Sequence, residues 1–262
     1  MAHQVPASGI QPLRLGIVGI AGRMGREIVA TAESDPEVRV VGGTVRPGNA
    51  ASLPPPDIAV HESLAGLLPL IDVVIDFSTP ASSVETARQA AAANIPAVIG
   101  TTGLTAKQVA SMRTASARIP VWYARNMSTG IGALLRFLPE IARALEGYDI
   151  ELIEAHHRHK VDAPSGTALA LVDAIRSGLP DNGQEHPLAH GRQEHSPREP
   201  GEIGIHAVRG GGNAGEHEVI FASGEEEIRI SHRAYNRGAF AAGAIRAAKR
   251  IVTLPPGWHG PG

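Results

Sequence analysis

The chain contains no cysteine, which excludes disulfides, thiol nucleophiles and thiolate-held zinc or iron–sulfur clusters and suits a reducing compartment. Aromatic residues make up only 3%, too few for a platform on which successive bases stack. Charge of one sign is also missing. The 24 Lys and Arg stand against 26 Asp and Glu, a formal net charge of -2, so any positive site must be local and a non-specific nucleic-acid partner is not expected. No apolar run reaches the roughly 20 residues of a membrane span. The start, MAHQVPASGIQPLRLGIVG, lacks the basic n-region and long apolar region of a signal peptide. These absences lead us to expect a soluble, cytoplasmic protein with no membrane partner. What remains is 262 residues with 43% hydrophobic content, enough for a substantial core and two domains of ordinary size.

From Leu13 to about Ala124, short Val- and Ile-rich runs alternate with alanine-rich segments of helical spacing. The runs fall at 13–20, 38–45, 72–77, 96–101 and 120–124, with helices expected near 23–34, 81–93 and 105–117. That alternation is the βαβ signature of a parallel, doubly wound sheet. Residues 46–61 read as a Pro/Gly-rich loop. A helix is expected over 128–146 and a strand over 149–156, and Ser165 is placed to cap a following helix. Residues 179–200 read as irregular, followed by strands near 201–209, 216–222 and 226–232 and a helix over 236–251. The order predicts βα units, then a mostly antiparallel patch, then a terminal helix that returns to the first domain.

GIVGIAGRMGREIV places Gly19, Gly22 and Gly25 between an expected strand and an expected helix. Glycines there permit a tight turn and close backbone approach, so that the helix start faces a pyrophosphate. The spacing GxxGxxG departs from the commoner GxGxxG, and the motif by itself also fits a plain turn. The acidic residue that would bind the ribose 2′-OH, expected some 20 positions on, is absent. Val45 stands there, followed by Arg46, whose guanidinium suits a 2′-phosphate. NADPH is therefore expected over NADH. GTTG (100–103) and ARNM (124–127) fall on the strand-end edge where such sheets bind ligands.

EAHHRHKVDAPSGTA (Glu154 to Ala168) crowds His156, His157, Arg158, His159 and Lys160 together. Three readings compete. A zinc site would set a dication beside two fixed cations, and HExxH is absent. A solvated charged turn explains the composition but assigns it no task. An anion pocket uses every part: Arg158 and Lys160 supply charge, and the histidines exchange protons near neutrality. Ser165, Gly166 and Thr167 open a helix whose free N–H groups favour a carboxylate. Glu154 and Asp162 read as orienting or structural partners. A small anionic substrate, reduced by hydride and protonated nearby, follows from that reading. A nucleotide sensor that has lost turnover and a zinc hydrolase are its rivals.

The motifs GRMG, IDFSTP, VIGTTG, ARNMSTG, EAHHRHKVDAPSGTA and GEIGIHAVRGGGNAGEHEV, in this order, resemble those of the 4-hydroxy-tetrahydrodipicolinate reductase family of the diaminopimelate route to lysine. The resemblance runs from about Leu13 to Ala248. It implies a Rossmann-like parallel-sheet dinucleotide-binding domain (1–127 and 234–262) and an α+β substrate and oligomerisation domain with a mixed sheet (128–233) that builds a homotetramer. The activity implied is reduction of a small dicarboxylate with NADPH or NADH. By the same resemblance His156 is the acid/base residue, Lys160 donates the proton, and His157 contacts substrate. Ser165, Gly166 and Thr167 would bind a carboxylate, while Arg158, His159 and Arg237 would complete the cationic pocket. Gly19, Ile20, Ala21, Gly22, Arg23 and Met24, Gly100, Thr101 and Thr102, and Ala124, Arg125, Asn126 and Met127 fall on the cofactor side, and no metal is implied. Family members often carry an acid where this chain has Val45, followed by an arginine like Arg46.

Overall fold

The computed structural model describes residues 11–45, 58–181 and 185–261. In chain order, β1 (Leu13–Val18), α1 (Arg23–Ala32), β2 (Val38–Thr44), β3 (Ala59–His61) and β4 (Val73–Asp76) lead to α2 (Pro80–Ala93), β5 (Ala97–Ile99), α3 (Ala106–Ala115) and β6 (Pro120–Tyr123). Then come α4 (Thr129–Ala144), β7 (Asp149–His156), α5 (Gly166–Gly178), β8 (Leu188–His190), β9 (Ile203–Arg209), β10 (Glu216–Ala222) and β11 (Glu227–Arg233). The chain closes with α6 (Gly238–Ile251) and β12 (Gly257–His259). The helix starts follow their local chemistry. Thr79 caps α2 ahead of Pro80, Thr105 and Gln108 form a capping box on α3, and Ser128 and Ser165 cap α4 and α5 through their hydroxyls. No helix among the described residues is long and apolar enough to cross a membrane.

Two compact units form. The first takes the chain up to Met127 together with Phe240–Gly260. Its seven strands run β12-β6-β5-β4-β1-β2-β3, all pairings parallel. Alternate strand residues bury on opposite faces, as a sheet covered on both sides requires. Leu15, Ile17, Val73 and Ile75 pack in one core cluster with Ile28 and Val29 of α1 and Ala244, Ala248 and Ile251 of α6. Val18, Val74, Ala97 and Ile99 pack in another with Ala87 and Ala90 of α2 and Met112 of α3. Burying a large aliphatic side chain contributes about 1.5–3 kcal/mol, and Ile245 and Ile251 anchor α6 to this core in that way.

The second unit spans Ser128–Ala239 with Pro261. Its five strands run β11-β10-β7-β9-β8. β10 pairs antiparallel with both β7 and β11, while β9 pairs parallel with β7 and β8. The sheet is therefore mixed, and the mostly antiparallel patch expected from strand order is corrected. Strand order along the chain does not reveal that the connection after β7, through α5 and β8, crosses over and returns β9 in parallel. Ile150, Leu152, Val219, Phe221, Ile203 and Ile205 bury against Ile131, Leu138 and Ala142 of α4 and Leu171, Val172 and Ile175 of α5.

Two further expectations change. The loop expected over 46–61 ends in the short strand β3, and the irregular stretch over 179–200 contains β8. Neither β3 nor β8 lies in a Val- and Ile-rich run of the kind that marks the equally short β5, so neither could be read from sequence.

Candidate active site

In the first unit the strand order reverses between β1 and β4, and it is at such a switch point, beyond the strand C-termini, that open α/β sheets hold ligands. A cleft of ≈ 830 Å³ lies there, lined among others by Gly19, Ala21, Gly22, Arg23, Thr44 and Val45. Two glycines explain why the turn can exist. Gly19 sits at φ +82, a left-handed conformation that side chains disfavour, and a Cβ on Gly25 would stand 2.4 Å from the carbonyl oxygen of Gly19. Gly22 caps α1 with no side-chain acceptor, and no acidic residue occupies the first turn. The first N–H groups of α1 thus lack internal partners and meet the cleft uncompensated, the arrangement an anionic phosphate needs.

The remaining expected cofactor residues divide into two kinds. Ile20, Ala124 and Met127 put their side chains in the core, which leaves only their backbone to face a ligand. Gly100, Thr101 and Thr102 follow β5, and Ala124 to Met127 follow β6, on the same C-terminal edge. Met24 is half-buried and packs against the core cluster, while Arg125 is exposed and Asn126 half-buried. Arg46 lies outside the described residues.

A brace between residues of the motifs IDFSTP and VIGTTG, which the sequence did not reveal, joins the end of β4 to the loop after β5. The buried Asp76 carboxylate accepts from Ser78 N at 2.9 Å, Ser78 Oγ at 2.6 Å and Thr101 Oγ1 at 3.2 Å, and Ser78 N also donates to Thr101 Oγ1 at 3.0 Å. Burial pushes this carboxyl up, against the pull of those hydrogen bonds. Glu62 and Ser63 line the cleft as well and were equally silent in the sequence, because β3 carries no motif.

In the second unit β7 alternates buried and half-buried residues and ends with the cluster. Glu154 and His156 share its buried face, two residues apart. Glu154 is 0% exposed and carries four hydrogen bonds. Its Oε2 is 2.5 Å from His156 Nδ1 and accepts from Arg209 Nη1 at 2.8 Å; its Oε1 accepts from Arg209 Nη2 at 2.6 Å and from Ser165 N at 3.0 Å. Burial alone would raise the Glu154 pKa, but the guanidinium, the imidazole and the backbone donor hold it below the usual carboxylate range. Burial lowers the His156 pKa, Glu154 opposing it and Lys160 and Arg209 adding to it, which favours the neutral ring.

After His156 the chain turns. His157 N donates to Asn213 O at 2.8 Å, Arg158 N to Gly211 O at 3.3 Å and Lys160 N to His157 O at 3.1 Å. The basic run is thereby clamped to the glycine-rich segment between β9 and β10. Lys160 Nζ lies 2.8 Å from both oxygens of Asp162. Burial raises the Asp162 pKa, but the ammonium outweighs it and keeps the carboxyl below its ordinary value. Arg158 and His159 are exposed, and the rings of His157 and His159 lie 6.2 Å apart. Ser165 accepts from Ala168 N at 3.1 Å as the cap of α5, with Gly166 and the buried Thr167 next in line. Arg237, half-buried, sits in the turn before α6. The structure thus ties His156, Lys160 and Ser165 into one neighbourhood through Glu154, Arg209 and the turn. Arg209 was missed because a lone arginine at the end of a strand looks solvent-bound. No group of three or more His, Asp or Glu among the described residues is arranged to hold a metal ion.

This geometry can be set beside known proteins. Residues 13–127 match the family described as "Dihydrodipicolinate reductase, N-terminus" and residues 130–260 match "Dihydrodipicolinate reductase, C-terminus". The chain belongs to the dihydrodipicolinate reductase family. It is 46% identical to the 4-hydroxy-tetrahydrodipicolinate reductase of Thermomicrobium roseum, over 94% of this chain and 97% of that protein. With the enzyme of the same name from Caldanaerobacter subterraneus subsp. tengcongensis it shares 43% identity, over 94% and 96%. Among solved structures, the dipicolinate-bound dihydrodipicolinate reductase from Paenisporosarcina sp. TG-14 superposes with a TM-score of 0.77 at 26% identity, covering 95% of this chain and 97% of that one. An amine dehydrogenase from Mycobacterium smegmatis, at 13% identity and a TM-score of 0.65, shares the fold alone. The Rossmann-like sheet with a separate mixed sheet is thus the architecture of a family of NAD(P)H-dependent reductases.

Proposed function

We propose that this chain reduces 4-hydroxy-tetrahydrodipicolinate to tetrahydrodipicolinate with loss of water, in the diaminopimelate route to lysine. The observation that carries this reading is the Glu154 anchor. One buried carboxylate holds the proton-exchanging ring of His156, the guanidinium of Arg209 and the first turn of α5 at Ser165. An acid/base group is thereby fixed beside a helix start that suits a carboxylate.

Glu154 sets His156 through Nδ1, which leaves Nε2 for proton exchange with the substrate. Lys160, steadied by Asp162, is the proton donor and a fixed positive charge for a second carboxylate. The α5 N–H groups at Gly166 and Thr167 and the hydroxyl of Thr167 would receive the first. His157, Arg158, His159 and Arg237 would complete the cationic wall. In the net reaction the ring carbon bearing the hydroxyl gains a hydride, and the hydroxyl leaves with a proton as water.

The residues of the first cleft fit a dinucleotide, since glycines clear the turn and the α1 start lacks a side-chain cap. Gly19 to Met24 would hold the pyrophosphate, and the loops from Gly100 to Thr102 and Ala124 to Met127 the nicotinamide end. When bound, the reduced nicotinamide supplies the hydride. NADPH is favoured over NADH, because Val45 offers no carboxylate to the ribose and Arg46 follows it. The ratio of kcat/KM with the two cofactors tests this, and a clear preference for NADH would refute the reading of Arg46.

We also assign a homotetramer and a cytoplasmic setting. The sheet face turned away from α4 and α5 carries Glu151, which accepts from His206 Nε2 at 2.7 Å and is joined to Arg192 and Arg198. Val208 lies exposed on that face, which suits burial against a second copy. Light scattering should return the tetramer mass.

The activity itself is tested with freshly made 4-hydroxy-tetrahydrodipicolinate, following the loss of NADPH absorbance. Turnover by clean protein is expected, and its absence would favour a nucleotide-binding sensor.

A further inference from the structure

One buried titratable group lies next to this machinery and takes no part in the chemistry above. His217 of β10 is 1% exposed. It is registered opposite Glu154 on β7 and His232 on β11, so it stands in the same buried layer as the anchor. Its Nε2 is 3.2 Å from Ser165 Oγ. Its ring meets that of His156 edge-on, with centroids 5.2 Å apart and an interplanar angle of 78°. On its far side His232 lies at 6.4 Å, with Nε2 of His232 2.9 Å from Ser128 Oγ.

We propose that His217 is a positioning residue of the substrate site: a buried imidazole that fixes the Ser165 hydroxyl and the His156 ring relative to one another. The proposal rests on the reading of α5 and His156 as a carboxylate and proton site.

Hydrogen-bond valence supports the neutral form. Ser165 Oγ accepts from Ala168 N at 3.1 Å and keeps a second lone pair, to which the Nε2–H of a neutral His217 donates, leaving Nδ1 without a proton. Nδ1 of His217 has no hydrogen-bond partner among the described residues. An imidazolium carries a proton on both ring nitrogens and would bury an unpaired charged donor there. The charged and titratable groups facing it are Glu154 and His156 on β7, His232 on β11 and Lys160 in the turn; of these only Glu154 favours the cation. Burial, reinforced by the charge of a protonated His156, pushes its pKa down to about 3.

The consequence is geometric. Ser165 is gripped at both ends, its N–H by Glu154 Oε1 at 3.0 Å and its hydroxyl by His217. Glu154 also orients His156, and His217 walls the same ring from the side. The α5 start and the proton-exchanging histidine therefore move as one body, which is what orientation of a dicarboxylate against a proton donor demands. A purely apolar residue of equal size would keep the wall and lose the grip.

The test pairs His217→Gln, whose amide reaches the Nε2 position, with His217→Leu, which fills the space without a polar atom. Dipicolinate, substrate and NADPH are the probes. Loss of one neutral hydrogen bond is expected to raise the dipicolinate Kd and the substrate KM about five- to tenfold in the leucine variant. The glutamine variant should stay within about twofold of the native protein, and NADPH affinity should be unchanged in both. Equal impairment of the two variants, or a leucine variant that behaves as native, overturns the proposal. Ring-nitrogen chemical shifts of the native protein provide a check that needs no variant. His217 should remain neutral from pH 8 to pH 5, and a midpoint near its model-peptide value of about 6.5 would refute it. Lys160→Ala serves as the control: if dipicolinate does not bind the native protein, or binds Lys160→Ala equally well, the substrate-site reading fails and the positioning role with it. Failure of the His217 pair against a sound control removes the positioning role alone.

Discussion

The two units build their sites in opposite ways. The cleft of the first unit is shaped by what is missing: side chains at Gly19, Gly22 and Gly25, a cap on α1 and an acid at Val45. The candidate site of the second unit is shaped by what is present, a buried carboxylate with four hydrogen bonds and a strand end and turn that together bear five basic residues. A backbone-built site is damaged by adding atoms, whereas a side-chain-built site is damaged by removing them.

The largest effect is expected in the second unit. Lys160→Ala and His156→Ala should each lower kcat by about 10²–10⁴-fold with little change in NADPH Kd, because a general acid or base acts on the transition state. Steady-state kinetics beside fluorescence titration of the cofactor would show it; near-normal turnover in either variant would strip that residue of its role.

Arg209→Leu comes next. It leaves Glu154 buried without its guanidinium partner, a loss of about 3–5 kcal/mol in stability for a buried charge left uncompensated, to be read by urea denaturation. An unchanged midpoint would mean that the Glu154 carboxylate is not held as its hydrogen bonds indicate.

The converse case is Gly22→Asp. Its φ of -73 is open to any residue and aspartate is a favoured helix cap, while the added Cβ would meet the Gly19 carbonyl oxygen at 3.0 Å, a contact relieved by a shift of a few tenths of an ångström. The fold should be kept while the added charge opposes a pyrophosphate, weakening NADPH binding by about 10–100-fold. A variant that binds NADPH normally would place the pyrophosphate elsewhere.

A smaller effect appears in pH dependence. His217 and His156 both have depressed pKa values in the fold. Below their unfolded value near 6.5 the unfolded chain binds protons that the native state does not, so stability falls as pH falls from there toward about 3 for His217. The His217 contribution approaches about 1.4 kcal/mol per pH unit once the pH is a unit or more below that value. His217→Gln should flatten the decline in Tm between pH 6.5 and pH 5, and an unaltered slope would contradict a buried neutral ring.

The same contrast explains what the sequence disclosed. The glycine turn, the βα alternation and the basic run are local patterns, and each appears in the structure where its residues predict. The cap at Ser165 was legible for the same reason. Partners brought in by the sheet were not. Arg209 and His217 reach Glu154 and Ser165 from strands more than 50 residues away, as the separations of 55 and 52 show; both lie within the motif GEIGIHAVRGGGNAGEHEV, but nothing in it names the partners they meet. Asp76 hides in an apolar strand end, and the crossover that makes β9 parallel to β7 depends on packing of α5 rather than on any motif. Long-range partners of buried polar groups are fixed by the need to satisfy them, which emerges only when the chain is folded.

The division between the units is tested most directly by titrating NADPH and dipicolinate separately into Gly22→Asp and Lys160→Ala. The account predicts a crossover: Gly22→Asp loses NADPH affinity and keeps that for dipicolinate, while Lys160→Ala loses dipicolinate affinity by about 10–100-fold, the worth of a charge-assisted hydrogen bond, and keeps that for NADPH. Parallel losses of both ligands in both variants would contradict it.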